Sequence, residues 1–393
     1  MNRVPKLRFK EFTNELKEIK FKDFLNERKD IATEKEELYS LTIEKGVTPK
    51  EERYERDFLV NNEKDAYKIV LKNDFVYNPM NIRFGAVAQF IENKNVKVSK
   101  YYNIFYCNNH INSYFFEKFI KTKRMFDLYN KLATGSLNEK KRLHFTDFLE
   151  IKQPFPCLEE QEKIGNFLSS VDKKISITEE KLDLFKEYKK GIMQKIFKQE
   201  LRFKDNNGND YPEWEEKKLG DIGTFFSGGT PKSDNKKYYN GDIPFIKSGE
   251  ISKDKTEQFI TKLGLDNSSA KMVKKGDLLF ALYGATSGEC AISKINGAIN
   301  QAVLVIRTEE NTVFLFNYFK FYKDNIIKKF LQGGQGNLSA EIIKMLIIKF
   351  PCIEEQQKIA DFLFAIDMKI EKLSDELENL KEFKKGLLQQ MFV

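Results

Sequence analysis

The sequence has few of the residues that enzymes use most often for catalysis. Among its 393 residues there are two histidines, His110 and His144, and four cysteines. Two histidines leave little material for acid–base, triad or metal chemistry. The cysteines form no Cys-x-x-Cys pair, so neither a disulfide framework nor a cysteine zinc site is supported. We therefore expect a protein of a reducing compartment, without catalytic residues and without a metal or cofactor of its own.

The sequence also lacks long apolar runs. No stretch of about 18 apolar residues is present, and the charged N-terminus is not followed by an apolar segment. We therefore expect a soluble cytoplasmic protein without a membrane partner. The hydrophobic fraction is nevertheless 41%, with 35 Phe and 16 Tyr, which is enough to form folded cores. A chain of 393 residues fits two to three domains of about 100 to 200 residues each.

The charge balance is mildly basic. Lys and Arg number 67 against 59 Asp and Glu, which gives a net charge of +8. Such an excess permits a polyanionic partner without requiring one, because a solvated surface of Lys and Glu has the same composition. The function therefore has to be inferred from the organisation of the sequence.

The main feature of that organisation is an internal repeat. Residues 155–164 (FPCLEEQEKI) return 195 residues later at 350–359 (FPCIEEQQKI), and the alignment continues without a gap, with 21 identities in 44 positions. A shorter repeat, Leu-Arg-Phe-Lys, begins at Leu7 and again at Leu201. Each half of the chain thus consists of an opener, a divergent block and a closing segment.

Both closing segments have the heptad seam of long paired helices. Pro156 and Pro351 precede them, and the Glu-Glu pair that follows suits the positive end of a helix dipole. Lys189 and Lys384 interrupt the seams at matched places; they favour one pairing register or mark where the seam opens toward a partner. We predict two helices, roughly 55 Å long, packed on each other, with two independent surface helices as the alternative. The seam residues are Ile164, Leu168, Val171, Ile175, Leu182, Phe185, Ile192, Ile359, Leu363, Ile366, Ile370, Leu373, Leu377, Leu380 and Leu387.

The two divergent blocks share a skeleton. Lys-Asn-Asp at 72–74 and Lys-Gly-Asp at 275–277 each read as a turn into a strand-like apolar run, followed by small residues and an aromatic helix candidate. We predict one α/β (α+β) fold for both blocks, with different surfaces. The predicted divisions are an opener at 1–19, a first globular domain at 20–150, a helical region at 151–199, a second globular domain with its opener at 200–347, and a helical region at 348–393.

Similar helices beside two unlike blocks indicate a fixed spacing between two surfaces that are free to differ. Antiparallel helices would close the two halves into a pseudo-twofold object. A rod of this length is able to span one turn of B-DNA, about 34 Å. The pattern is therefore typical of a protein that reads a bipartite sequence and uses its helices as a ruler.

Together these features resemble the specificity subunit of type I restriction-modification systems over essentially the whole chain. The motifs that carry the resemblance are the paired Phe-Pro-Cys segments, the repeated Lys-Lys-Gly-x-x-Gln, and Ser-Gly-Gly-Thr-Pro-Lys at 227–232 followed by residues 243–251. The resemblance implies two target-recognition domains joined by two long antiparallel coiled-coil helices. The first block departs from the family pattern because it lacks the Gly-Gly-Thr-Pro loop.

The resemblance also implies a function and partners. It implies a non-catalytic subunit that reads a split site in double-stranded DNA and docks two methyltransferase subunits on its helices, often together with restriction-translocase subunits. S-adenosylmethionine is then expected on the methyltransferase, since this chain has no cofactor fingerprint. The alternative is a coiled-coil scaffold or adaptor whose blocks bind polypeptides; DNA binding at low salt separates the two.

The first block contains two groups of candidate DNA contacts. One follows the apolar run after Asp74, where Asn suits adenine edges and Arg suits guanine. Asn-Pro-Met at 78–80 lacks the second proline and the aromatic of an amino-methyltransferase motif, so methyl transfer by this chain is not expected. The other group is a cationic loop; a solvated turn and a plain connector are the alternatives. The candidates are Tyr77, Asn78, Asn81, Arg83, Ser136, Asn138, Lys140, Lys141 and Arg142.

The second block contains a glycine loop that resembles a phosphate-binding P-loop only superficially. Pro231 replaces a required glycine, and the four-residue spacer is missing. Hydroxyl and ammonium groups in this loop suit DNA phosphates, with close approach of the backbone; an ordinary surface turn is the alternative. Amides in a later glycine loop suit base edges, or the loop is a plain connector. The candidates are Ser227, Gly228, Gly229, Thr230, Lys232, Lys237, Tyr238, Lys247, Ser248, Tyr283, Thr286, Ser287, Gln335 and Asn337.

Overall fold

The computed structural model describes residues 4–50, 67–135, 141–331 and 337–392. The chain divides into two compact units, residues 1–179 with 376–393 and residues 180–375. Each unit contains one divergent block and parts of both closing segments. In the described ranges, no helix combines the length and the apolar character that crossing a membrane requires.

The described part of the first unit is built from two four-stranded sheets and a group of helices. Its strands are β1 (Lys17–Lys20), β2 (Leu25–Arg28), β3 (Glu37–Thr42), β4 (Gly46–Pro49), β5 (Tyr67–Val70), β6 (Phe75–Tyr77), β7 (Val87–Gln89), β8 (Val96–Ser99), β9 (Asn103–Cys107) and β10 (Lys152–Phe155). Its helices are α1 (Ser113–Ile120), α2 (Lys123–Leu132), α3 (Phe145–Leu149) and the first part of α4 (Leu158–Phe197). The sheet orders are β2-β9-β6-β7, which is antiparallel, and β4-β3-β8-β5, in which β3 and β8 are parallel; β1 pairs with β10.

The second unit repeats this architecture strand for strand. Its strands are β11 (Glu215–Lys218), β12 (Gly223–Ser227), β13 (Tyr239–Ile246), β14 (Phe259–Ile260), β15 (Lys271–Val273), β16 (Leu278–Ala281), β17 (Cys290–Ile292), β18 (Gly297–Ile299), β19 (Val303–Thr308) and β20 (Ile347–Phe350). Its helices are α5 (Lys262–Asp266), α6 (Thr312–Leu331), α7 (Ala340–Lys344) and the first part of α8 (Ile353–Met391). The sheet orders are β12-β19-β16-β17 and β14-β13-β18-β15, with β13 and β18 parallel, and β11 pairs with β20. The prediction that both blocks have one α/β fold is confirmed.

The predicted turns before β6 and β16 have the same geometry. Asn73 and Gly276 adopt left-handed backbone conformations, with φ of 71° and 96°, which asparagine and glycine tolerate best. The carboxylates of Asp74 and Asp277 each accept a hydrogen bond of 2.8 Å from the backbone N–H three residues earlier. Each aspartate thus closes the turn that starts its strand.

The duplicated sequence motifs correspond to duplicated contacts. Arg8 of the first opener donates two hydrogen bonds of 2.7 Å to Glu160. Arg202 of the second opener donates two, of 3.0 and 2.8 Å, to Glu355. Both carboxylates are buried, and a buried charge is costly once its partner is removed. This explains why the Leu-Arg-Phe-Lys and Glu-Glu-Gln motifs occur together in each half.

The glutamine of each Glu-Glu-Gln motif joins the long helix to its own block. Gln161 Oε1 accepts a hydrogen bond of 3.0 Å from the backbone N–H of Asn112, at the start of α1. Gln356 Oε1 accepts one of 2.9 Å from the N–H of Asn311, at the start of α6. Each long helix is therefore anchored to its own block by the same kind of polar contact.

The helices α4 and α8 pack against each other in both units. In the first unit Ile164 and Leu168, near the start of α4, share a core with Leu387 and Met391, at the end of α8. In the second unit the end of α4 packs with the start of α8. The helices therefore run antiparallel, as predicted, and the alternative of two independent surface helices is wrong. Every predicted seam residue is buried or half-buried.

The lysines that interrupt the seams form reciprocal ion pairs. Lys189 donates hydrogen bonds of 2.6 and 2.7 Å to Asp367 in the second unit. Lys384 Nζ lies 2.5 Å from Asp172 Oδ1 in the first unit. Burial lowers the pKa of the Lys189 ammonium despite its contact with Asp367. Because Asp172 and Asp367 hold matched positions in the repeat, both pairs fix one antiparallel register, which favours the first interpretation of these lysines.

Each opener is also tied to the end of a long helix. The Leu7 N–H donates a hydrogen bond of 2.9 Å to the carbonyl of Gln390 in the first unit. The Leu201 N–H donates one of 3.1 Å to the carbonyl of Lys195 in the second unit. Gln390 and Lys195 are matched positions of the repeat, so the two junctions have the same form.

Candidate nucleic-acid interface

In the first unit several strands end at one edge of the sheets, and their connecting loops gather there. Tyr77, the last residue of β6, pairs with Asn103, the first residue of β9, so residues 78–86 and 100–102 leave the sheet together. Ile43, after β3, lies against the same turn, because its Cγ2 is 3.6 Å from the position of a Cβ built on Gly85. We call residues 43–45, 78–86, 100–102 and 141–142 the first loop edge.

The equivalent strands of the second unit end in the same way. The register pairs are Ala281 with Val303, Ser227 with Leu304, and Ile246 with Ile299. The segments 227–235, 247–248, 282–289 and 300–302 therefore leave the sheets on one side. Together with Asn337 we call them the second loop edge.

One hydrogen bond fastens a distant segment to each edge. The Leu143 N–H donates to the Pro79 carbonyl at 3.0 Å, and the Leu338 N–H donates to the Leu282 carbonyl at 3.1 Å. Leu143 and Leu338 are buried. The two groups of candidate contacts in each block, which are far apart in sequence, thus meet at one edge.

Tyr77 does not lie at the surface. Its side chain is fully buried, its hydroxyl donates a hydrogen bond to the carbonyl of Leu143, and burial raises the pKa of its phenol. We therefore reject Tyr77 as a DNA contact. The apolar run that it ends is a core strand, so its hydroxyl fastens the core to the neighbouring loop.

The turn after Tyr77 presents only part of its polar residues to solvent. Asn78 Oδ1 accepts a hydrogen bond of 3.0 Å from the backbone two residues later, which shapes the turn, and Asn81 is exposed. Arg83 is only 7% exposed. Its Nη1 donates to Asn130 Oδ1 at 3.3 Å, and its guanidinium carbon lies 4.9 Å from the ring centroid of Phe84. Arg83 therefore supports the turn from within.

The cationic loop of the first block is closed by a bridge between Thr134 and Arg142. Their backbones exchange hydrogen bonds of 2.9 and 2.8 Å. Arg142 is exposed and Lys141 is half-buried. Ser136, Asn138 and Lys140 lie outside the described residues. The described end of the loop thus adds two cationic side chains to the first loop edge.

The glycines of the second block pack against the unit itself. A Cβ on Gly228 would lie 1.9 Å from the carbonyl oxygen of Ile299, and a Cβ on Gly229 would lie 2.6 Å from Cβ of Ser269. Ser227, which is half-buried, precedes them. The backbone approach that requires these glycines is therefore internal, and it brings the loop against β18.

Side-chain hydrogen bonds hold the rest of this loop. Thr230 Oγ1 donates to Gln301 Oε1 at 2.7 Å. The Tyr239 hydroxyl donates to the Pro231 carbonyl at 2.5 Å. Lys232, which follows, is exposed. The loop thus places an ammonium group on the second loop edge from a backbone that is fixed on both sides.

The remaining candidates of the second block divide into two groups. Lys237 and Tyr238 precede β13 and border the second loop edge, because their backbone N–H groups donate to Asn235 Oδ1 at 3.2 Å and to the Asn235 carbonyl at 3.1 Å. The others lie on the edge, and the Ser287 hydroxyl there donates to the Leu282 carbonyl at 3.0 Å. Lys247 and Asn337 are exposed, and Ser248, Tyr283, Thr286 and Ser287 are half-buried. Gln335 lies outside the described residues.

Both edges contain residues that the sequence reasoning missed. Ile43, Lys100 and Tyr101 lie on the first loop edge, and Tyr101 is 78% exposed. Gln301 lies on the second and accepts the hydrogen bond from Thr230. Lys100 and Gln301 both follow short strand-like runs closely, and that pattern is the signal that could have identified them.

At the opposite end of the same sheets, an arginine pairs with the turn aspartate in both units. Arg28 donates hydrogen bonds of 2.6 and 3.1 Å to Asp74. Arg307 donates hydrogen bonds of 2.9 and 2.6 Å to Asp277. Burial raises the pKa of Asp74. Burial also opposes ionisation of Asp277, but the hydrogen bonds from Arg307 and the backbone outweigh it and lower the pKa.

These two arginines come from different strands. The guanidinium carbon of Arg28, on β2, lies 4.9 Å from the ring centroid of Tyr106, on β9. The guanidinium carbon of Arg307, on β19, lies 4.9 Å from the ring centroid of Phe226, on β12. By register, Arg28 matches Phe226 and Tyr106 matches Arg307. The arginine and the aromatic have thus exchanged strands while the cation–π contact and the ion pair persist.

Comparison with known proteins places the chain beside DNA-specificity proteins. A family model described as the type I restriction modification DNA specificity domain matches residues 15–186 and 211–382. The putative type I restriction enzyme MjaX specificity subunit of Methanocaldococcus jannaschii is 26% identical over 71% of this chain and 67% of its own length. The type I restriction enzyme EcoR124I/EcoR124II specificity subunit of Escherichia coli is 24% identical over 61% of each.

Solved structures extend the likeness in fold to the full length. A type I restriction-modification system S subunit from M. genitalium superposes with a TM-score of 0.63, covering 99% of both chains at 16% identity. The HsdS subunit from Thermoanaerobacter tengcongensis superposes with a TM-score of 0.51, covering 96% of both chains at 15% identity. At these identities the likeness concerns the fold.

Proposed function

The chain belongs to the type I restriction modification DNA specificity family, and we propose that it recognises a bipartite DNA sequence, with one globular block for each half-site. The observation that carries this proposal is the pair of loop edges, which have the same strand order behind them and different side chains on them. Function at such an edge fits the rule that binding residues sit on loops held by a rigid scaffold. Nothing in the described residues favours the alternative, a scaffold that binds polypeptides.

The side chains of both edges suit DNA. Exposed Lys232, Lys247 and Arg142 are available to phosphates, which supply most of the affinity of such complexes. Exposed Asn81 and Asn337 carry amides that match adenine edges in the major groove. We therefore assign direct readout of bases to a few residues on each edge. In this proposal the two recognition domains extend over residues 20–150 and 200–347.

The long helices α4 and α8 set the distance between the half-sites in this proposal. At 1.5 Å per residue, a helix of 40 residues is about 60 Å long, which exceeds one turn of B-DNA, about 34 Å. The reciprocal ion pairs fix the register of the two helices, so the spacer between the half-sites has a fixed length.

The chain works with the other subunits of a restriction-modification complex. We propose that two methyltransferase subunits dock on the helical regions 151–199 and 348–393, with restriction subunits joining some assemblies. The cofactor S-adenosylmethionine then binds the methyltransferase, and this chain contributes recognition without catalysis.

The test is the pattern of modified bases in the host genome. Long-read sequencing of strains with and without this gene is expected to reveal one lost motif, made of two short half-sites and a fixed nonspecific spacer. An unchanged set of modified motifs in an expressing strain would contradict the proposal. Replacement of residues 200–347 by the corresponding block of a relative is the matched control, because it should change one half-site and leave the other intact.

A further inference from the structure

The first loop edge has exposed apolar side chains, and at one matched position the second edge has a hydroxyl instead. Ile43, Met80 and Phe84 are 52%, 36% and 57% exposed. Phe84 precedes Gly85, with φ of 104°, just as Ser287 precedes Gly288, with φ of 81°. The strands on either side have matching registers in the two units. The same turn therefore presents a phenyl ring in one unit and a hydroxyl in the other.

These three residues belong to one turn and to the loop that packs against it, and we call them the apolar tip. Met80 and Phe84 belong to the same turn, and Ile43 Cγ2 lies 3.6 Å from the Cβ position of Gly85, beside Phe84. The turn is stiff, because the Phe84 N–H donates to the Asn81 carbonyl at 2.9 Å. The Arg83 guanidinium carbon lies 4.9 Å from the ring centroid, so the ring is supported from within. A ring with one face already supported loses less conformational entropy on binding than a ring without such support.

Cationic side chains lie on the same loop edge as the apolar tip. Lys141 and Arg142 lie on the loop that the Leu143 N–H fastens to Pro79 in the same turn. Lys100 follows β8 on the same edge and is exposed. An apolar protein partner would leave these charges beside a desolvated surface, which is costly. A polyanion with an apolar group in its groove accommodates both features.

The apolar group that DNA offers is the C5-methyl of thymine in the major groove. We propose that Ile43, Met80 and Phe84 contact thymine methyl groups in the half-site read by the first block, whereas the second block, with Ser287 in place of Phe84, reads its half-site through hydrogen bonds. This inference rests on the proposed function, since it names how the first loop edge discriminates bases. It makes Phe84 a specificity-determining residue.

The test replaces thymine by deoxyuridine in one half-site at a time. Once the target is known from modified-base sequencing, binding of the full-length chain with its copurifying methyltransferase is measured on duplexes that differ only in these methyl groups. Each contacted methyl is expected to contribute about fourfold in affinity, the equivalent of about 0.8 kcal/mol. Deoxyuridine in the first half-site should therefore weaken binding at least fourfold, and deoxyuridine in the second should leave it unchanged.

Variants identify the residue responsible. In Phe84→Ala the ratio of the affinities for the thymine and deoxyuridine duplexes should fall toward one. In Phe84→Leu, which keeps an apolar contact, this ratio should persist. Ser287→Ala is the matched control at the equivalent position and should leave the first half-site response intact. Thermal unfolding of each variant establishes that the fold is retained.

The outcomes separate this inference from the proposed function. Absence of any sequence-specific binding would overturn both. Specific binding with equal affinity for thymine and deoxyuridine in the first half-site would overturn only the methyl contact. A loss in Phe84→Ala that is equal on both duplexes would also overturn it, because it would indicate a ring that acts on DNA shape.

Discussion

The two units have the same strand order, and both loop edges carry exposed cations and amides, yet the first edge adds exposed apolar and aromatic side chains. The first edge has Ile43, Phe84 and Tyr101 exposed, beside cationic side chains. The second has Thr230, Ser287 and other hydroxyl and amide side chains, held by internal hydrogen bonds. Both units, however, have the same hydrogen bond from a buried leucine N–H, that of Leu143 or Leu338, to the loop after β6 or β16. Framework contacts and surface contacts are thus carried by different residues, so the surface is free to vary.

Even the framework tolerates exchange when the contact itself survives. The arginine that binds the turn aspartate lies on β2 in one unit and on β19 in the other, and its aromatic neighbour occupies the vacated position. What is kept is a turn carboxylate with a bidentate cation, and in the first unit, where Asp74 is buried, an unpaired charge would be costly. The residue type at one position therefore says less about the shared framework than the two contacting residues taken together.

The largest expected difference between the units concerns the buried glutamates that the openers bind. Glu355 accepts hydrogen bonds from Arg202 and also from Trp214 Nε1, at 3.1 Å, whereas Glu160 is bound by Arg8. We expect Glu355→Ala to lower the free energy of unfolding by about 3 to 5 kcal/mol, and Glu160→Ala to lower it by less. Urea denaturation of the full-length chain measures both.

The exposed neighbours Glu354 and Glu159 provide controls for that measurement. Their alanine variants remove only an exposed interaction with the helix dipole and should lower the free energy of unfolding by at most about 1 kcal/mol. Equal losses in Glu355→Ala and Glu160→Ala would contradict the added contribution of the tryptophan contact.

A second difference concerns the glycine loop, which has no counterpart in the sequence of the first block. In Gly228→Ala the new Cβ would meet the Ile299 carbonyl at 1.9 Å, so the loop backbone has to shift, at a cost of roughly 1 to 3 kcal/mol. We expect recognition of the second half-site to weaken while the first half-site is still read, as measured by modified-base sequencing. Gly249→Ala, with nothing within 4 Å of its Cβ, should leave both half-sites unchanged; a defect in the first half-site of Gly228→Ala would refute the assignment.

The smallest expected net effect comes from a double variant that makes the first unit resemble the second. Arg28→Phe alone leaves Asp74 buried without its cation and should cost about 3 kcal/mol of unfolding free energy. Adding Tyr106→Arg restores the arrangement of the second unit and should recover all but about 1 kcal/mol of stability. Urea denaturation of the single and double variants measures the coupling, and additive losses would show that the exchange is coincidental.

Much of the framework could be predicted from the sequence because it is repeated and periodic. The seam of α4 and α8 has an apolar residue every three or four positions, and this spacing alone predicts paired helices. The turn aspartates are visible in the sequence as Lys-Asn-Asp and Lys-Gly-Asp. The contact between Arg8 and Glu160 could not be predicted, because sequence spacing does not say that two repeated motifs touch.

The loop edges could be predicted less completely. Tyr77 is a natural candidate because it ends an apolar run, but every residue of β6 is buried, and the Tyr77 hydroxyl is satisfied within the core. Gly228 and Gly229 suggest room for a ligand, whereas the neighbouring strand occupies that room. Ile43 and Lys100 were missed because their place depends on strand order, which depends on contacts between residues distant in the sequence.

The matched hydrogen bonds of Leu7 and Leu201 have a consequence for the connectivity of the polypeptide. At Leu201 the bond to Lys195 closes a covalent loop, and at Leu7 the bond to Gln390 makes the same closure without a peptide link. A circular permutant could join the last turn of α8 to the first opener through a linker as long as residues 196–200, with a new opening in the chain within 198–200. Such a permutant would retain every contact described above. Cyclic order, rather than the position of the ends, is what these contacts specify.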